Sequence, residues 1–295
     1  MKLLVLGGGF TGAAVAKRAI ARGMAVTATT RSDERAASLR AIGVTPLVSA
    51  RLDASALAAR VDGATQVLIT FPPAPDRALD ASLAPSLARA KAIVYVSSTA
   101  VYGDASGKVD EGTLVDRAAP RAAARLDAEE AWRSVGATIV RAPAIYGPGR
   151  GLHLRLARGD VRIAGSGANA ISRVHVDDLA AALFGLLDAA VRGETFVMGD
   201  LEPAPHAEVV RFLCDALAIA LPPCDPAEAP DETLRHDRRA DSARVRERLS
   251  LALAYPTYRE GYAQCIACDR DALGAALRQS RGGALASGGS GVRLS

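Results

Sequence analysis

"KLLVLGGGFTGAAVAKRAIARGMAVTATTR", residues 2–31, decides how the rest of the chain is read. It runs through a short apolar stretch, a glycine-rich turn, an alanine-rich segment and a second apolar stretch. Gly7, Gly9 and Gly12 fall in a G-x-G-x-x-G pattern between the first strand candidate and the first helix candidate. Glycines at this spacing permit a tight turn, let backbone approach a pyrophosphate, and let the helix pack close to the strand. The helix start at Phe10 and Thr11 then turns unpaired N–H groups and the positive dipole end toward the phosphates. The pattern alone is weak. Its place after a strand, before a helix and at the right distance from a second strand makes it a dinucleotide site.

Outward from this turn, continuous apolar runs at 2–6, 24–30, 44–48, 66–71, 92–98 and 137–142 read as strands. Helix candidates lie between them, near 11–22, 33–41, 53–60, 76–90 and 121–134. Strands that are apolar throughout are covered on both faces, and repeated strand–helix units imply a parallel sheet with right-handed crossovers. The expected fold is α/β, a doubly wound parallel Rossmann sheet with a small C-terminal substrate-covering region. The boundaries read as a dinucleotide-binding domain over 1–150 and a mixed region over 151–281 that completes the sheet and forms the substrate pocket. The tail over 282–295 has the composition of a disordered linker. In the mixed region, Asp177 and Asp178 suit the first turn of an apolar helix over 179–189, and further helices are expected over 206–217 and 239–250.

The chain has 295 residues, a net charge of +4 and 23% charged residues, evenly spread, as in a folded soluble protein. The basic side is almost all arginine, and no basic stripe with interleaved aromatics argues for nucleic acid. The longest apolar stretch, 179–191, contains Asp188 and is too short to span a bilayer. No targeting segment is evident, so a cytoplasmic location with no membrane partner is expected; oligomeric state is left open. Cys265 and Cys268 have C-x-x-C spacing, but Cys214 and Cys224 supply no matching pair, and reduced thiols are the plainer reading. His153, His175, His206 and His236 show no spacing for a metal or a triad, so no metal is expected.

The end of the second strand selects the cofactor. An acid there accepts the ribose hydroxyls of NAD, whereas this chain has Thr30-Arg31-Ser32. A guanidinium suits a 2′-phosphate, so NADP(H) is expected over NAD(H), read by Arg31 with Ser32 or Arg35 assisting.

Four further motifs occur together: "VYVSSTAVYGD" (94–104), "RAPAIYGPGR" (141–150), "RVHVDDLAAAL" (173–183) and "YPTYREGY" (255–262). With the glycine turn they resemble the extended short-chain dehydrogenase/reductases, the NAD(P)-dependent epimerase/dehydratase family, over about residues 1–262. The resemblance implies hydride transfer on sugar-nucleotides or related carbonyl compounds. It places Ser98 at the serine that hydrogen-bonds the reacting oxygen, Pro143 in the loop beside the nicotinamide, and Phe71-Pro72 against the cofactor. It also exposes departures. Aligning the family's glutamate on Glu129 puts Arg121 where the catalytic tyrosine belongs and Arg125 where its lysine belongs. Arginine holds its proton near neutral pH, so the usual relay is absent, as in the atypical, divergent subgroup.

Three readings of function follow. One is an oxidoreductase or epimerase with a rebuilt site, acting on a sugar-nucleotide or another small carbonyl or hydroxyl substrate. In it Tyr102 or Tyr146 serves as acid/base with its pKa depressed by Arg125, and Arg121 clamps an anionic substrate group. The second is a non-catalytic NADP(H)-binding redox sensor or partner-binding protein. The third, a hydrolase, finds no G-x-S-x-G and no triad.

Overall fold

A computed structural model describes residues 1–73, 78–225, 227 and 234–287. In chain order its first half contains β1 (Lys2–Leu6), α1 (Phe10–Ala21), β2 (Ala25–Thr30), α2 (Asp33–Ala41), β3 (Thr45–Val48), α3 (Ala54–Ala58), β4 (Thr65–Ile69), α4 (Ala78–Leu83), β5 (Ala92–Ser98), β6 (Gly107–Val109), α5 (Pro120–Arg133) and β7 (Thr138–Ala142). The second half contains β8 (Ala144–Tyr146), α6 (Leu152–Arg158), β9 (Ile163–Ala164), β10 (Ala170–Ile171), β11 (Arg173–His175), α7 (Val176–Asp188), β12 (Thr195–Val197), β13 (Ala204–Pro205), α8 (His206–Leu217), β14 (Cys224–Asp225), β15 (Arg238–Ala240), α9 (Ala243–Leu249), α10 (Tyr258–Cys268) and α11 (Arg270–Ser287).

Among the described residues the central sheet has seven strands in the order β12-β7-β5-β4-β1-β2-β3, every neighbouring pair parallel. The chain builds outward from β1 to β3, then crosses back and builds outward from β4. That reversal opens a crevice at the carboxyl ends of β1 and β4, where a doubly wound sheet takes its ligand. Val5, Leu68 and Val94 face α1 and α7 on one side; Leu6, Ile69 and Tyr95 face Trp132 of α5 on the other. Burial on both faces is why these strands read as unbroken apolar runs.

The strand candidates match β1 to β5 and β7 to within about two residues, as is usual at element ends. The seventh strand, β12, escaped because only Thr195, Phe196 and Val197 carry it. The helix expected over 76–90 ends at Leu83 and passes into a 3-10 turn, Ala84–Leu87, because Pro85 lacks an N–H to continue the α pattern; the start of that expected helix, at 76–77, lies outside the described residues. The helix expected over 239–250 starts late, since Arg238–Ala240 pair as strand β15. Helix α11 runs to Ser287, through the first part of the stretch whose composition reads as a linker; residues 288–295 lie outside the described residues. No helix among the described residues is long and apolar enough to cross a membrane.

The two late motifs meet in space. The Asp178 carboxylate accepts N–H bonds from Ala254 (2.7 Å) and Tyr255 (3.0 Å), tying the start of α7 to the segment that leads into α10. His175 is fully buried, accepts from the Asp177 N–H through Nδ1, and lies 3.1 Å from Gln264 through Nε2. It is a helix cap that pins α10. Cys265 and Cys268 sit on α10 as free thiols, Cys265 buried and pushed up to about 12 by that burial, Cys268 exposed.

Candidate functional site

The glycine turn is held from three sides. Gly7 adopts φ +105°, its N–H donates to Thr29 Oγ1 (2.9 Å), and its carbonyl accepts from Thr70 Oγ1 (2.6 Å). The Gly8 N–H donates to the Thr29 carbonyl at 2.7 Å. A Cβ on Gly12 would stand 2.2 Å from the Gly7 carbonyl oxygen, so α1 seats against the turn only without one. Gly9 differs: a Cβ there would meet nothing within 4 Å, and as N-cap it offers no side-chain acceptor. The start of α1 thus carries no side-chain cap, and the space over exposed Gly9 is clear. That arrangement fits a pyrophosphate.

Along the cleft from this turn, Arg31 is exposed at the end of β2, and Ser32 caps α2 by accepting the Arg35 N–H at 3.2 Å. Phe71 is half-buried, its ring edge-on to Trp132 at 6.4 Å, and Pro72 is exposed beside it. Phe10 is half-buried under the Arg150 guanidinium, 5.4 Å from the ring centre.

At the carboxyl ends of β5 and β7 lies a cavity of about 520 Å³. Ser98, Arg121 and Pro143 all line it, so three residues singled out from the sequence converge here. Ser98 Oγ accepts the Ala100 N–H (3.1 Å) and so caps the 3-10 turn over Thr99–Tyr102, leaving its own hydroxyl hydrogen to donate. Arg125 does not line the cavity. Its guanidinium donates to Tyr95 Oη (3.3 Å) and reaches the Val96 carbonyl (3.5 Å).

Neither phenol meets the expectation of a tyrosine activated by Arg125. Tyr102 is 1% exposed, donates to the Asp110 carbonyl (2.7 Å), and accepts from Arg141 (3.3 Å), whose guanidinium lies 5.1 Å from its ring centre. Burial raises its pKa. Tyr146 is 3% exposed, stacked on Tyr262 at 4.4 Å, with its hydroxyl pressed against Gly261 and without a hydrogen-bond partner. Burial pushes it still further from the range of a working base. The reason is positional: both rings point into packing between elements, and Arg125 is occupied elsewhere.

Behind the cavity sits a buried charge network. Arg141 donates to Glu129 through Nε (3.0 Å) and Nη2 (2.8 Å), Ser97 Oγ donates to Glu129 at 2.7 Å, and Arg133 reaches it at 3.3 Å. Burial alone would push the Glu129 carboxyl up, but the Arg141 bonds and charge, then Ser97 and Arg133, bring it below the usual range. Glu129 is therefore a fixed anion that anchors α5 to β5 and β7, and its satisfied oxygens take no part in proton exchange.

A second cavity, about 1000 Å³, shares Ala144 and Ile171 with the first. Among the described residues, Arg150, Arg155, Arg158, Arg162 and Arg173 line it, against a single acid, Asp160, which already pairs with Arg158 at 3.0 Å. In the sequence, "RGLHLRLARGDVR" (150–162) carries four of these arginines, and Arg155 and Arg158 share a helix face. Below this wall Asp200 is 3% exposed with both carboxylate oxygens lacking a hydrogen-bond partner, and burial raises it to about 7.

The NAD(P)H-binding family profile matches residues 7–189. A conserved protein of unknown function from Silicibacter pomeroyi DSS is 29% identical, with TM-score 0.77 over 90% of this chain and 98% of that one. A putative epimerase from Burkholderia cenocepacia J2315 is 23% identical, with TM-score 0.75 over 94% and 98%. UDP-glucuronic acid 4-epimerase from Bacillus cereus, solved with UDP-glucuronic acid and NAD, is 16% identical, with TM-score 0.79 over 92% and 99%; at that identity the likeness is one of fold. Comparison with curated proteins gives no match.

Proposed function

The chain belongs to the NAD(P)H-binding family, and from that premise we propose that it is an NADP(H)-dependent, epimerase/dehydratase-like oxidoreductase with a non-standard active site. The observation that carries this reading is the uncapped start of α1 at Gly9, with clear space over Gly9, on the same sheet whose β5 and β7 ends hold Ser98 and Pro143. In this reading Gly7, Gly9, Phe10, Thr11 and Gly12 hold the pyrophosphate. Arg31 and Ser32 take the 2′-phosphate, and Phe71, Pro72 and Pro143 flank the nicotinamide end. Bound nicotinamide supplies hydride chemistry; Ser98 donates its hydroxyl hydrogen to the substrate oxygen. The five arginines of the larger cavity suit a phosphate-bearing substrate such as a sugar-nucleotide, which the neighbouring 520 Å³ cavity would receive at its reacting end.

A second reading, a non-catalytic NADP(H)-binding sensor or partner-binding protein, draws on the withheld hydroxyls of Tyr102 and Tyr146. Cofactor titration by nicotinamide fluorescence tests the shared premise. NADPH should bind more tightly than NADH, and Arg31→Glu should weaken NADPH by roughly 10- to 100-fold, the worth of one charge-assisted contact, with NADH little changed. Equal affinities in the wild type would refute the NADP(H) assignment.

A further inference from the structure

The smaller cavity contains an imidazole that stands outside every motif of the sequence. Arg121, Arg235 and Arg238 also line it, and a guanidinium as a side-chain type donates hydrogen bonds without exchanging protons. Arg238 is also committed to backbone, donating to the carbonyls of Thr99 and Gly103. Ser172 Oγ is spent between the Arg238 carbonyl (3.0 Å) and the Ala240 N–H (2.7 Å). Among the described residues, the other ionisable side chains of the lining are Asp104 and His236, His236 Nε2 being 3.5 Å from Asp104 Oδ1.

Backbone pairing, not a flexible tail, brings them there. Strand β15 runs parallel to β6 with Arg238 opposite Gly107, and the Gly107 N–H donates to the Asp237 carbonyl at 2.6 Å. Asn169 Nδ2 clamps the carbonyls of Leu234 (3.0 Å) and Arg235 (2.7 Å) on the other side. The Asp237 carboxylate is already engaged by the Ala170 N–H and Arg239, so it does not compete for the ring. His236 is only 15% exposed at its side chain, a ring set into the cavity wall.

We propose that His236 is the acid/base of this site, taking the place of the tyrosine that Arg121 displaces. The proposal rests on the oxidoreductase reading above. With Nε2 turned toward Asp104, Nδ1 is the nitrogen assigned to the substrate proton. In the oxidative direction the substrate C–H bond breaks with its electron pair passing as hydride to NADP+, the hydroxyl proton passes to His236 Nδ1, and a C=O bond forms. The reverse direction returns both. Imidazole as a side-chain type exchanges protons near neutral pH, and an adjacent carboxylate orients the ring and stabilises its cationic form.

The test requires no known substrate. At near-attack geometry one substrate carbon–oxygen unit spans about 7 Å between nicotinamide C4 and the nitrogen that takes its proton. A crystal structure of the full chain with NADP+ should place His236 Nδ1 within about 8 Å of C4; a longer separation with the cofactor bound overturns the proposal and leaves the cofactor reading intact. In solution, the His236 Cε1–Hε1 resonance, identified by its absence in His236→Gln, should shift on adding NADP+ and stay in place on adding 2′,5′-ADP, which lacks the nicotinamide. A resonance that ignores NADP+ while others respond sinks the assignment. Failure of NADP+ to perturb any resonance sinks the oxidoreductase reading itself. His236→Gln should keep NADPH affinity within about twofold of wild type, since the ring has no role in holding the dinucleotide.

Discussion

The two ends of the cleft are made of different material. At the β1–α1 end the surface is backbone: glycines, uncapped N–H groups, and a turn braced by Thr29 and Thr70. At the β5–β7 end it is side chain: Ser98, Arg121 and His236 in front, with Glu129 and Arg141 locked behind. A backbone site constrains what may not stand at a position, and so writes itself into glycine spacing. A side-chain site can exchange its groups while the scaffold persists, so spacing alone leaves its chemistry open.

The sharpest way to break this contrast is at Glu129. Glu129→Ala leaves the guanidinium of Arg141, 5% exposed, without its carboxylate, and removing one partner of a buried pair costs about 3–5 kcal/mol. Urea or thermal unfolding should register a loss of that size. A loss below about 1 kcal/mol would mean the network is not the rigid backing that the contrast assumes.

Asp200 gives the next largest effect, and a pH-dependent one. Its folded pKa is raised from 3.8 to about 7, so between these values the folded state holds a proton that the unfolded chain has released. Stability therefore falls as pH rises from about 4 to about 7 and levels off above, by on the order of 2–4 kcal/mol from this group. Asp200→Asn should remove that slope. Identical pH profiles for the two proteins would show that Asp200 gains partners that the orphaned oxygens do not reveal.

What the sequence made legible follows the same division. The parallel sheet and the glycine turn came from strand-length apolar runs and from spacing, both local signals. Ser98, Pro143 and Arg121 line one cavity because they sit at the ends of neighbouring sheet strands and of the helix between them. Tyr102 and Tyr146 were misjudged because a loop position says nothing of where a ring points; packing against Arg141 and Gly261 decides that. Asp104 and His236 were invisible for a different reason. Their approach depends on the β6–β15 pairing, three residues long and far apart in the chain, and no periodicity announces it.

Within the backbone end, two glycines should behave oppositely. Gly12→Ala forces a methyl toward the Gly7 carbonyl and Val5, and overpacking of that kind costs about 1–3 kcal/mol while shifting α1 away from the turn. NADPH affinity should fall with it. Gly9→Ala adds its methyl to open space, so unfolding should stay within about 0.5 kcal/mol of wild type while the dinucleotide is still repelled. If Gly9→Ala binds NADPH normally, the open space at the α1 start is not where the pyrophosphate lies.

The smallest effect probes the side-chain end without disturbing its backing. Ser98→Ala removes one cap from a four-residue 3-10 turn and should cost about 1 kcal/mol, with NADPH binding unchanged. Ser98→Thr keeps the acceptor for the Ala100 N–H and should recover most of the stability. The pair separates two uses of one oxygen. A cap needs only the lone pair that faces Ala100, whereas contact with a substrate needs the hydroxyl hydrogen to point into the cavity, and threonine supplies both only if its methyl fits beside Arg121 and Pro143. A threonine variant that regains the melting temperature yet loses the response to substrate would locate the chemistry at that hydroxyl. Full recovery of both would show a wall that tolerates the extra methyl.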